Sequence, residues 1–312
     1  YAGFAGGEDK LDDNSPAAAK NYYELEKEML VKLEALEPVD KIDEVTKDAL
    51  TSNLKLSIEI FETGLWKRNL DVLASPAQSI RDIFDLSPTA TEHDWENLAK
   101  RMRAVPGAID GYIRSLREGI AASDTPATRQ VEFVIRETEE LGSAEGFFKK
   151  FAAGAKLEAG EIPDSLKTEI AAAGQVATEG YAALADFLKS ELLGKANTED
   201  AIGRERYALF SRRFLGAKVD LDETYEWGRE ELARVTAEQE AVASEIKPGA
   251  SVQEAIEVLN NDKSRKLHGT DELQKWMQRL SDNAIEKLSG THFDIAEPLK
   301  TLECMIAPTN SG

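Results

Sequence analysis

Apolar residues recur along this chain at three- and four-residue intervals, the spacing that collects them on one face of an α-helix. After a Gly- and Asp-rich opening over residues 1–14, read as extended or loop, Ser15-Pro16 supplies a cap and a first-turn proline. Tyr22, Leu25, Met29, Leu33 and Leu36 then predict an amphipathic helix that breaks at Pro38. A second is expected from about Lys41 to Trp66, with Leu50, Leu54, Ile58, Phe61 and Leu65 on its core side. Short helices follow around 80–86 and 95–105, and Pro106 is expected to start a new one striped by Ile109, Ile113, Leu116 and Ile120. Thr125-Pro126 opens another (Val131, Val134 and Ile135 inward), and Phe147, Phe148 and Phe151 mark a short one. The longest pattern runs from Pro163 to Leu193. Its seam of Leu166, Ile170, Ala173, Ala177, Tyr181, Leu184 and Leu188, with Gly174 and Gly180 beside it, predicts close helix packing.

The stretch from Thr198 to Ile246 predicts a helical hairpin. Thr198 is placed to cap a helix reaching Leu215, and Gly216 suits the left-handed position just beyond. Asp220 and Glu223 have capping-box spacing for a longer helix whose apolar face is Leu232, Val235, Val242 and Ile246. Gly228 falls in register with that face, as if another backbone came close there. Arg206 and Arg213 fall inside the apolar arc of the first helix, among Ile202, Tyr207, Leu209, Phe210 and Phe214. An arginine so placed either meets a carboxylate of a neighbouring helix or waits for one on a substrate, and the same planar fork serves both.

Ser251 and Glu254 form another capping box, followed by Val252, Ala255, Ile256 and Leu259. The polar, basic stretch 260–269 reads as a turn, and Thr270 caps a last helix through Leu273, Trp276, Met277, Leu280, Ala284 and Leu288. Only at Leu302–Ile306 does the period suit a strand. The expected class is therefore mainly α, a multi-helix array with at most a short β element near the C-terminal end. The Ala152–Pro163 stretch, with Gly154 and Gly160, is a possible subdivision.

Composition narrows the partners. Lys and Arg number 38 against 58 Asp and Glu, a net charge of −20. Such a surface repels phosphate backbones and anionic lipid, so neither nucleic acid nor a membrane is an expected partner. The acidic residues are interleaved around helices as solvated faces, which speaks against an acidic mimic of nucleic acid. One cysteine, Cys304, excludes an internal disulfide framework and suits a reducing, cytoplasmic setting. No apolar run approaches the roughly 20 residues that span a bilayer. The chain starts at Tyr1 without a signal-peptide pattern, and its abrupt ends suggest a piece of something longer.

Candidate chemistry is sparse. The three histidines, His93, His268 and His292, stand in no recognised metal spacing. Glu92-His93-Asp94 suits a helix start better than a metal, and His292-Phe293-Asp294 reads as a surface pair or as two ligands. No phosphate-binding Gly-Lys-Ser/Thr loop or Gly-x-Ser-x-Gly elbow occurs, and Cys304 reads as a packed thiol. No catalytic or metal residue is assigned.

The segments Ile202-Gly203-Arg204-Glu205-Arg206-Tyr207, Asp220-Leu221-Asp222-Glu223 and Tyr225-Glu226-Trp227-Gly228 resemble the bacterial domain-of-unknown-function 885 family. So do Phe293-Asp294-Ile295, the run Glu303–Pro308, and the lead into Asn14-Ser15-Pro16. The resemblance implies a helical, carboxypeptidase-like zinc metallopeptidase in which zinc-bound water is activated for amide hydrolysis. Its zinc-binding helix would lie after Gly312, so residues 1–312 would be the N-terminal helical portion of one larger catalytic domain. The missing C-terminal half of the same protein and a peptide-like substrate are then the expected partners, and this segment alone is not expected to be active. Arg206, Arg213 and Glu303 are the expected substrate-facing residues, on one wall of a channel. The alternative is a non-enzymatic acidic helical scaffold for protein–protein interaction. Substrate identity and oligomeric state stay open.

Overall fold

The computed structural model describes residues 6–307, among which eleven α-helices and no β-strand occur. The mainly α expectation is met. The chain divides into two compact units, Tyr1–Lys218 and Val219–Gly312.

The first unit holds α1 (Pro16–Glu34), α2 (Lys41–Glu62), α3 (Pro76–Asp82), α4 (Glu92–Ala121), α5 (Thr128–Leu141), α6 (Phe147–Ala153), α7 (Asp164–Phe187) and α8 (Arg204–Leu215). Its core lies between α4 and α7. Leu98, Met102, Val105, Ile109, Tyr112 and Leu116 of α4 are buried against the same cluster as Ile170, Ala173, Ala177, Tyr181 and Leu184 of α7. Each large side chain buried there stabilises the fold by about 1.5–3 kcal/mol. The small residues of α7 do mark close packing, as the sequence predicts. The 152–163 stretch joins α6 to α7 inside this unit.

Pro106 does not start a helix; it sits inside α4, which runs unbroken from Glu92. An interior proline removes a helical hydrogen bond and costs about 3 kcal/mol or more. The apolar stripe buried on both sides of it offsets that cost. Gly180 on α7 faces the proline, and a Cβ added there would lie 3.4 Å from Pro106 Cα and Cγ, so the ring and the facing helix meet without a side chain between them.

One further boundary and one face differ from the periodicity. Helix α8 begins at Arg204, not near Thr198. Asn197 Oδ1 accepts from Glu199 N at 3.0 Å and Gly203 is left-handed at φ 87°, so local hydrogen bonding and backbone conformation hold 197–203 as a loop. In α1 the face expected to be buried is open: Tyr22, Leu25 and Leu36 are exposed. The α1–α2 pairing instead uses Tyr23, stacked on Phe61 at 4.4 Å, and Glu26, which accepts from Ser57 Oγ at 2.6 Å.

The second unit contains α9 (Leu221–Ile246), α10 (Val252–Asn261) and α11 (Thr270–Leu288). Ser251 with Glu254 forms the capping box of α10 as expected, whereas at α9 the half seen is the Asp220 cap, which accepts from the Asp222 and Glu223 amides. Helix α9 packs on α10, and Ala243, Ala250 and Ala255 are the buried hydrophobic residues among those described in this unit. The expectation for Gly228 fails, since an added Cβ would meet nothing within 4 Å. The strand expected at Leu302–Ile306 is also absent. The segment is held by side-chain amides of α11 instead: Gln278 Nε2 donates to Leu302 O at 2.7 Å, Cys304 N donates to Gln278 Oε1 at 2.9 Å, and Gln274 Nε2 donates to Cys304 O at 2.9 Å. Pro308, at the end of the family-like run, lies outside the described residues.

Candidate functional site

Helix α8 is fixed to α2 by apolar and ionic contacts. Leu56, Ile60 and Leu65 form a small buried cluster against which Ile202 and Leu209 pack. Arg212 Nη1 lies 2.8 Å from Glu59 Oε2. Beside that cluster, with Leu56 among its lining residues, lies a cleft of about 370 Å³. Asp48, Ser52 and Asn53 of α2 line one side; Arg212 and Arg213 of α8 and Lys218 line the other. The turn that carries Lys218 round to the cleft depends on Gly216, left-handed at φ 69°, a conformation that glycine adopts without strain.

The three residues expected on a substrate wall fare differently. Arg206 is committed within the fold: Nη1 and Nη2 donate to Asp124 Oδ1 and Oδ2 at 3.0 and 2.7 Å. Arg68 Nη1 donates to the same carboxylate at 2.9 Å. Burial pushes the Asp124 carboxyl up, but the Arg206 and Arg68 hydrogen bonds outweigh it and hold the group below the usual aspartate range. Arg213 lines the cleft, exposed, with no ion-pair partner among the described residues. Glu303 is exposed on the segment that the α11 glutamines hold.

Sequence reasoning singled out Arg213 but missed Arg212, Lys218, Ser52 and Asn53 around it. The signal present was local, an Arg-Arg pair followed by a glycine turn and a lysine. What brings α2 opposite is tertiary, a contact between residues 153 positions apart.

Among the described residues no three His, Cys, Asp or Glu side chains gather into a possible metal site. His93 Nδ1 is 3.6 Å from Glu96, its neighbour on α4, and His292 Nδ1 is 3.0 Å from Thr291 Oγ1. The adjoining Asp94 completes the capping box with Thr91, the role its position in the sequence favours. The described residues therefore offer no zinc ligand set. No described helix is long and apolar enough to cross a membrane.

Comparison with solved structures shows the fold in a larger protein. The chain is similar to a crystal structure described as "the putative lipoprotein from Colwellia psychrerythraea", with a TM-score of 0.68 and 14% identity, over 90% of this chain and 52% of that one. This chain thus spans about half the length of that protein. None of the curated proteins matches. The family model described as "Bacterial protein of unknown function (DUF885)" matches residues 1–312, the whole length of the sequence, and the chain belongs to that family.

Proposed function

We propose that this chain is the helical, substrate-channel portion of a zinc-dependent peptidase acting on short peptides or peptide-like amides, with the metal ligands on polypeptide outside it. The observation that carries the reading is the unsealed apolar surface of the second unit. Leu232 is 67% exposed, and Val242, Ile256, Leu273, Trp276 and Leu280 are exposed as well. Between α9 and α10 a groove of about 360 Å³ is lined by Val235, Val242, Ile246, Val252, Ile256 and Leu259. An open apolar groove of this kind marks an interaction site, and an amphipathic helix laid into it would cover it. The occupant we assign is the remaining portion of the same protein. Its support is the solved similar protein, of which this chain covers 52%.

Zinc enters through the family resemblance, and its ligands belong, in this reading, to that remaining portion. In this reading Arg213 faces the substrate from the first unit. The single cysteine, Cys304, accords with a cytoplasmic setting, whereas the similar solved protein is described as a "putative lipoprotein"; cell fractionation decides between the two. The expected result for the complete gene product is hydrolysis of short peptides that a chelator abolishes and zinc restores. No hydrolysis under zinc contradicts the reading and favours an acidic helical scaffold.

A further inference from the structure

The chain carries 38 basic and 58 acidic residues, so most of its cations are expected to find a carboxylate nearby. The α2–α8 cleft departs from that pattern. Three cationic side chains, Arg212, Arg213 and Lys218, line it with one acidic residue, Asp48. Arg212 is turned to Glu59, which also fixes its position. Arg213 and Lys218 have no ion-pair partner among the described residues. Ser52 and Asn53 add a hydroxyl and an amide, which donate to an anion without adding charge.

We propose that this cleft binds a small oxyanion, the carboxylate or phosphate group of a low-molecular-weight ligand. Arg213 would grip two oxygens with its planar fork, Lys218 would act as a point charge, and Ser52 and Asn53 would complete the donor set. A volume of about 370 Å³ suits a small molecule, within the roughly 300–1,000 Å³ of ligand pockets. Asp48, on the opposite side, repels an oxyanion and so limits the affinity for a bare one. The proposal does not rest on the peptidase reading, because it needs only residues of the first unit.

A competing account is that Arg212 and Arg213 merely offset the negative C-terminal end of α8, where cations are favoured in any helix. Titration calorimetry on the 312-residue chain separates the two. Sodium phosphate is titrated first, then an acetylated dipeptide with a free carboxylate and the same dipeptide as its amide. Binding of phosphate or of the free carboxylate, with none of the amide, is expected. Which of the two anions binds tells the source of the oxyanion. R213Q combined with K218Q should weaken that binding by about tenfold or more, as losing charge-assisted hydrogen bonds does. D48N should tighten it, and added salt should weaken it because the charges are exposed. Circular dichroism of each variant reports whether the chain keeps its helical content. Binding of neither anion, binding that survives the double substitution, or equal binding of the amide overturns the proposal.

Discussion

Asp124 shows how one carboxylate decides the fate of a predicted site residue. With Arg206 and Arg68 both on it, the cluster joins the chain between α4 and α5 to α8 and to the turn at 65–68. These side chains are 13–28% exposed, so solvent screening is incomplete but present. D124N should therefore destabilise the first unit by about 1–3 kcal/mol in chemical denaturation, the range for leaving charged donors without their acceptor. R213A should stay within about 0.5 kcal/mol of the parent, as a surface change away from any packed partner does. Equal losses for the two would show that Arg213 is structural.

The same residue sets an acid dependence. A carboxyl whose folded pKa is depressed contributes stability that is fully present above its unfolded pKa. That contribution disappears as pH falls through the lower, folded value. For Asp124 the window opens near the ordinary aspartate value of 3.8 and extends downward. D124N should flatten the stability profile across that window. A profile as steep as the parent's would assign the acid dependence to other groups.

At the scale of helices, α4 and α7 were legible because their buried positions repeat at helical spacing on sequence alone, Ile109 to Leu116 and Ile170 to Leu184. The continuity of α4 was not legible, because local propensity puts a boundary at Pro106 and only the α7 surface overrides it. The α8 start was missed for the converse reason, a positive-φ Gly203 that delays the helix to Arg204, later than its apolar arc suggested. The C-terminal strand was expected but does not form, because a period of two marks an extended chain without naming its partner, and the partners here are the side chains of Gln274 and Gln278. The cleft was half legible: Arg213 stood out on α8, while its neighbours on α2 depend on a long-range contact. Packing at the α4–α7 seam predicts that M102A, at a fully buried position, costs about 2–5 kcal/mol. A177L should also destabilise, by about 1–3 kcal/mol, since the seam leaves no room for the larger side chain. A neutral A177L in thermal unfolding would mean that the seam is looser than described.

Over the whole molecule the two units differ in how much they bury. The first has a continuous core of large side chains, whereas in the second the buried hydrophobic residues among those described are three alanines. Burial of apolar surface is the main favourable contribution to folding, so local opening should be easiest where least is buried. Amides of α9, α10 and α11 in the 312-residue chain should accordingly exchange with solvent faster than those of α4 and α7. An apolar dye such as ANS should bind, and V242E on the open groove should reduce its binding.

The reading of this chain as a channel portion awaiting further polypeptide meets its most direct test in hydrogen exchange across α9–α11, measured on residues 1–312 and on the complete gene product. Strong protection gained in the complete product at Val242, Ile256 and the apolar face of α11 is the predicted result. Equal exchange in both, or a gene that ends at Gly312, would contradict it.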